Sequence, residues 1–534
     1  MSVESAIVEV PRRTRVAGGV YAPGHVGELT QVVPFELVDA VLAETGVRQR
    51  RLRDLPSRVG VYLVLAMGLF EGLGMLTVWS KLVAGLDGME VVSPSEKALR
   101  DLRRRLGPAP LRALFEVLAG PLAWPGTPGV RYRCWRTVAF DGCSSMKVPD
   151  HERNRGWLGK IKHGFGLAGY PRLTVMALAE TGTRGLLGAV FGPTGTGERA
   201  WARKLLYLLG PDMLLLCDRG FEGEDFLAEV AETGAQFLVR VKSSRRLPVR
   251  GRLPDGSYLT RIGSLSLRVI DAQITVTGAD STVVTGVYRL VTTLTDHRTD
   301  PAAALMRLYH ERWEIESAFY ALRHTLLGGR VLRSKDPAGI EQELWALLTL
   351  YQALRTVMVD AAESEPGTDP DRAGFTVAVE AARDSVITAT GIVPETPVLV
   401  GDIGTAVLAR LLPARRHRYS ARTVKSPLSR YHTRTETQRP LTCTTVTSVE
   451  VTISEPPAAP PPAPTAARTP GYPDIEAILG SAPHSRRARD IAHTLGITGE
   501  KALNSFCVRM SKWAHQGLLT KTAPATYTLA TENT

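Results

Sequence analysis

Five short apolar runs set the tightest limit on what this chain can become: Thr137–Phe140, Leu173–Leu178, Leu186–Phe191, Met213–Cys217 and Gln236–Val241. Each is too short for a buried helix and is bounded by turn-forming residues, so each reads as a buried strand. A helical pattern from about Glu198 to Leu209 follows the third run, and another from about Glu222 to Thr233 follows the fourth. Three consecutive strands, then strands alternating with helices, describe an α/β unit: a mixed sheet with flanking helices.

Two of the runs end in an acid. Thr137-Val-Ala-Phe closes on Asp141-Gly142, and Met213-Leu-Leu-Leu-Cys closes on Asp218-Arg219-Gly220-Phe221. Acids there stand at the rim of a sheet, where α/β folds put their chemistry, although Asp before Gly is also ordinary turn chemistry. A third acid lies in Tyr309-His-Glu-Arg312-Trp-Glu-Ile-Glu316, which runs on to Arg323. From Tyr309, Arg312, Glu316 and Arg323 fall at offsets of 3, 7 and 14, close to whole turns of a 3.6-residue helix, so the four share a face. The same spacing also suits solvent-side ion pairs worth a few tenths of a kcal/mol. Three converging carboxylates repel unless cations neutralise them. Oxygen donors without a Cys or His cluster favour Mg²⁺, with Mn²⁺ able to substitute. Two such ions roughly 4 Å apart suit in-line displacement at phosphorus.

These residues resemble the insertion-sequence-4 family of DDE transposases. The family's Y-x2-R-x3-E-x6-K signature matches Tyr309, Arg312 and Glu316, with Arg323 where Lys is usual. Its first acid motif matches Asp141-Gly142, followed by Val148-Pro149-Asp150 and Asn154. Its second matches Asp218-Arg219-Gly220-Phe221, with the strand Phe237-Leu-Val-Arg240-Val-Lys242 after it. The similarity spans most of residues 25–360. It implies an RNase H-like catalytic domain in which Asp141, Asp218 and Glu316 form the metal-holding triad. Arg312 and Arg323 would hold phosphates, Tyr309 would position the DNA backbone, and Arg219, Arg240 and Lys242 would line the DNA path. Arg forks onto a phosphate where Lys acts as a point charge, so Arg323 changes the contact's geometry. The implied activity is binding of an element's terminal inverted repeats, cleavage of its ends and their joining to target DNA, by a homodimer on double-stranded DNA. Hairpin excision, common in the family, finds no support in residues 243–300, which hold no Trp and only Tyr258 and Tyr288.

Composition fits without deciding. Sixty-five Lys+Arg against 53 Asp+Glu give +12, which suits phosphate neutralisation. Five scattered cysteines, never as C-x2-C, point to a reducing compartment and away from a structural zinc site; a cytoplasmic, nucleoid-associated location is expected. Val59 to Trp79 is long and apolar enough for a membrane check, but Glu71 and four glycines interrupt it, so it reads as two buried helices. Gly192-Pro-Thr-Gly-Thr-Gly197 lacks the Lys-Ser/Thr of a phosphate loop and reads as a turn into a helix.

The remaining organisation is an expectation of the same kind. Residues 1–24 read as a flexible basic arm, 25–130 as a helical N-terminal domain, and 131–358 as the catalytic domain with a β-rich insertion at 243–300. Residues 359–454 read as a helical and basic extension, with cations recurring from Arg415 to Arg439, and 455–470 as a Pro/Ala linker. In 471–534, helices at Arg487–Leu495 and Glu500–Gln516 and a hairpin beyond suggest a winged helix, with Arg509 and Lys512 facing DNA. Two other readings stay open: a metal-dependent nuclease without strand transfer, and a DNA-binding protein without catalysis.

Overall fold

Residues 35–118 fold into five helices: α1 (Phe35–Glu44), α2 (Ser57–Leu69), α3 (Met75–Val83), α4 (Glu96–Leu106) and α5 (Ala109–Leu118). The apolar stretch singled out for a membrane check is α2 and α3. The chain turns between them near Glu71, which pairs with Arg383 at 2.8 Å. No helix among the described residues is long and apolar enough to cross a membrane. The computed structural model describes residues 13–15, 20–392, 400–414, 446–455 and 470–530, apart from positions 50, 52, 87, 161, 164–165, 168, 280, 282, 483 and 498.

All five apolar runs are strands: β1 (Trp135–Lys147), β2 (Arg172–Glu180), β3 (Leu186–Pro193), β4 (Met213–Cys217) and β5 (Gln236–Arg240). They lie in the order β3-β2-β1-β4-β5, the first three antiparallel, with β4 parallel to β1 and β5 parallel to β4. That order and those senses make the sheet RNase H-like. Short α6 (Glu152–Leu158) follows β1, α7 (Glu198–Arg203) follows β3, and α8 (Glu224–Glu232) joins β4 to β5.

Residues 243–300 continue this sheet. Strands β6 (Gly251–Arg252), β7 (Tyr258–Ile262), β8 (Leu265–Gly278) and β9 (Val283–Thr292) add to its edge, with β9 antiparallel to β5. The insertion therefore inherits the sheet's hydrogen bonds. Tyr258 and Tyr288 are both buried within it. A strand absent from the sequence reading, β10 (Val446–Ile453), pairs with β8. The basic stretch 415–439 lies outside the described residues.

Strand alternation sorts the side chains onto two faces. Val138, Phe140, Leu215 and Cys217 pack with Trp201, Phe226 and Leu227 of α7 and α8. Ala139, Leu214 and Leu216 face the opposite layer. There α9 (Ala302–Leu308), α10 (Trp313–Tyr320), α11 (Pro337–Ser364), α12 (Phe375–Thr388) and α13 (Asp402–Leu408) share one core with α1 to α5. At 1.5 Å per residue α11 is about 42 Å long. It is capped by Asp336, which accepts from the Gly339 N–H, and is buried along most of its length. The N-terminal helices thus form one body with the sheet's far layer.

The chain divides into two units, residues 1–456 and 457–534, and the division falls within 455–470. The second unit contains α14 (Tyr472–Gly480), α15 (Ala488–Thr494) and α16 (Glu500–His515), with a sheet of Arg486–Arg487, Thr526–Leu529 and Leu519–Ala523 in that spatial order. The sequence reading had α15, α16 and the hairpin but lacked α14, whose Ile475 and Leu479 complete the small core. Within residues 1–24, Arg13–Arg15 pairs with Tyr21–Pro23.

Candidate active site

Register brings the first two acids together. Thr137 pairs with Leu214 and Ala139 with Leu216 across the parallel β1/β4 pair. Two residues further on come Asp141, past which β1 continues to Lys147 where the sequence suggested a strand end, and Asp218, just beyond β4 and close enough to act on Asp141's charge. Parity turns both toward the face occupied by α9 and α10. The two are held alike: Asp141 accepts the N–H of Gly142 at 2.9 Å, and Asp218 accepts that of Gly220 at 2.7 Å.

The third acid arrives on a helix with altered winding. From Ala302 to Leu326 the chain is helical without a break, as expected, but Tyr309–Arg312 is a tighter 3₁₀ turn and Ala321–Leu326 a wider π turn. In a 3₁₀ turn three residues make a full revolution, so Arg312 lies directly above Tyr309. π turns cluster at functional sites, and this one carries Arg323, which is partly buried.

Tyr309 and Arg312 are both buried. Tyr309 is 2% exposed and its hydroxyl donates to the Cys217 carbonyl at 3.1 Å. It therefore ties the helix to the end of β4, one residue before Asp218. Arg312 was expected on a phosphate. It is 4% exposed and pairs with Glu316 at 3.2 Å. Its guanidinium lies over the Trp313 ring. The spacing rule put these residues on one face correctly but could not say that the face is buried.

The electrostatics follow from that burial. Asp141's proton affinity is pushed up to about 7, chiefly by burial. Glu316 and Asp218 push the same way, and Arg312 and the Gly142 N–H oppose them. Burial works against the charge on Arg312, but Tyr309, Asp141, Glu316 and Asp218 outweigh it and hold the proton more firmly. Three acids thus surround one guanidinium. Among the described residues, no three His, Cys, Asp or Glu side chains stand arranged to hold a single ion. Each triad carboxylate is instead engaged by a neighbour: Gly142, Gly220 or Arg312.

Beside Asp218 opens a cleft of about 800 Å³, lined by Arg199, Arg219, Glu222, Glu224, Lys242 and Arg245 among others. Arg219 and Lys242 are exposed there; Lys242 lies 3.4 Å from Glu222. Arg240 stacks on Tyr288 at 4.0 Å. Sequence reasoning missed Arg199 and Glu198, and had Arg245 only as one of the cations that make the start of residues 243–300 basic. Glu198 appeared there only as the first residue of a helix, a position that says nothing of the neighbouring strand ends. In the second unit Lys512 is exposed and Arg509 is partly buried. It packs over Phe506 and reaches the Pro470 carbonyl at 3.4 Å, so it braces its own fold.

Comparison with known proteins places these elements. A family model described as "Insertion element 4 transposase N-terminal" matches residues 23–116, and "Transposase DDE domain" matches 136–352. The chain is 27% identical over 413 residues to transposase InsG for insertion sequence element IS4 of Escherichia coli strain K12, covering 74% of this chain and 91% of that one. It is 29% identical over 145 residues to putative transposase y4zB of Sinorhizobium fredii, covering 26% and 40% respectively. A piggyBac transposase synaptic complex with hairpin DNA aligns at TM-score 0.38 and 10% identity over 72% of this chain and 84% of that one, a likeness too slight to bear on the site. The two family models follow one another along more than half of the sequence, and the chain belongs to the insertion-sequence-4 family of DDE transposases.

Proposed function

We propose that this DNA transposase binds the terminal inverted repeats of its element, cleaves the ends and joins them to target DNA, with Asp141, Asp218 and Glu316 as its catalytic acids. One observation carries the reading: Asp141, within β1, and Asp218, just past the end of β4, belong to neighbouring parallel strands on one face of the sheet, and the helix bearing Glu316 lies over that face, pinned through Tyr309. The donor set fits a hard divalent cation, being all carboxylate in a region where burial and like charge destabilise an unneutralised acid. Two Mg²⁺ ions held by these acids, with Mn²⁺ as a substitute, would activate the attacking oxygen and stabilise the leaving one.

The chain's own groups do the rest. Arg312 offsets part of the acids' mutual repulsion and keeps Glu316 turned toward the strand ends. The Gly142 and Gly220 N–H groups orient the two aspartates. Exposed Arg219 and Lys242, with Arg199 and Arg245 along the same cleft, offer cations to a phosphate backbone leading away from Asp218. Arg323 and Arg240 would add further cations to the DNA path. The helix-turn-helix and hairpin of the second unit support a winged-helix DNA contact through α16 and Lys512. Two element ends require two copies of the site, which favours a homodimer on DNA.

Glu316→Gln tests the reading. It should abolish strand cleavage of element-end DNA while leaving its binding within about twofold of wild type. Undiminished Mg²⁺-dependent cleavage by that variant overturns it.

A further inference from the structure

The two glycines that orient the candidate acids have a common neighbour. A Cβ built on Gly142 would stand 2.9 Å from Oε1 of Glu198, 3.0 Å from its Cγ and 3.1 Å from its Cδ. A Cβ built on Gly220 would stand 3.0 Å from Oδ1 of Asp218 and 3.4 Å from Oε2 of Glu198. One carboxylate therefore occupies the space left by two missing side chains, with an oxygen toward each. By strand parity Gly142 points to the layer of α7, opposite to Asp141. Glu198 opens α7 after Gly197, whose φ of +80° lets the chain turn sharply into the helix. Glu198 is exposed, so its burial contributes little to stability.

We infer that Glu198 is a positioning residue for strand cleavage. Its side chain backs Gly142 within β1 and the turn at Gly220 from behind the sheet, so that their N–H groups hold Asp141 and Asp218 toward Glu316. The inference rests on the reading of those three acids as catalytic. It assigns Glu198 no contact with the reacting atoms and requires its shape, not its charge. Gly142→Ala should act by displacing the Glu198 side chain, the movable partner in that contact.

The test is a double-mutant cycle on the full chain, read as cleavage rate at saturating end DNA, DNA affinity and melting temperature. Small misplacements of catalytic groups cost up to about 100-fold in rate. Glu198→Ala and Gly142→Ala should each slow cleavage about tenfold or more, with DNA affinity unchanged and melting temperature within a few degrees. The double variant should be no slower than either single one, and Glu198→Gln should restore cleavage to within about threefold of wild type. Wild-type cleavage by Glu198→Ala overturns the inference, as does additivity of the two losses. A Gln variant as slow as the Ala variant overturns it too, because charge would then be the active property. Glu316→Gln serves as the control. If that variant still cleaves, the catalytic reading has failed; if it is inert while Glu198→Ala behaves as wild type, only this inference has.

Discussion

Asp141→Asn isolates the electrostatic cost of the site. Folding raises the Asp141 carboxyl from near 3.8 to about 7, mainly by burial. Between those pH values the folded chain binds more protons than the unfolded chain, so stability falls as pH rises across that window. Below about pH 4 the acid is neutral in both states and the penalty vanishes; above about 7 it is complete. At about 1.4 kcal/mol per unit, the full penalty approaches roughly 4 kcal/mol, an upper figure since water and relaxation screen part of it. Asparagine keeps the size and the acceptor for the Gly142 N–H but carries no charge. In chelator-containing buffer, melting followed by calorimetry from pH 4 to 8 should show wild type losing stability between pH 4 and 7. The variant should lose less, and should be the more stable protein at pH 8 while being inert in cleavage. Added Mn²⁺ should raise the wild-type melting temperature and leave the variant nearly unmoved. A variant less stable than wild type at pH 8 would refute the reasoning, because the carboxylate would then be a net stabiliser.

Three further outcomes follow from particular contacts. Tyr309→Phe removes the hydrogen bond to the Cys217 carbonyl, worth about 1 kcal/mol; cleavage should slow with DNA affinity unchanged, whereas a fall in affinity alone would restore Tyr309 to the DNA surface. Arg184→Met strands the buried carboxylates of Glu314 and Asp371, both paired to Arg184, and should cost about 3–5 kcal/mol by denaturant titration; a loss below 1 kcal/mol would show that the network is not needed. Replacing Arg219 and Lys242 together by Ala should weaken binding of any duplex and flatten its dependence on the logarithm of salt by about two. An unchanged slope would remove the cleft beside Asp218 from the DNA path.

The sheet was legible because its strands are short apolar runs with turn formers at both ends, a local signal that needs no tertiary information. Asp141 and Asp218 were legible for the same reason, since both close such runs. Glu316 needed the helical spacing and the family resemblance together. Other features were set by distant parts of the chain. Whether Tyr309 and Arg312 face solvent depends on β4 and α10 meeting, and Cys217 accepts from Tyr309 across 92 positions. Strand β10 was missed because its pairing partner β8 lies some 170 residues earlier. Glu198 gave no signal, since the two glycines that betray it become its neighbours only when β1, β4 and α7 pack. In the second unit α14 was missed because a short helix after a proline-rich stretch has little beyond Tyr472, Ile475, Ile478 and Leu479 to mark an apolar face.

The central claim is that Asp141, Asp218 and Glu316 act as one cation-holding set. Mn²⁺ affinity, followed by electron paramagnetic resonance on the complex with end DNA, tests it most directly in wild type and in the Asp141→Asn, Asp218→Asn and Glu316→Gln chains. Each substitution should weaken Mn²⁺ binding and abolish cleavage while DNA remains bound. Wild-type Mn²⁺ affinity together with wild-type cleavage in any one of the three would contradict the account.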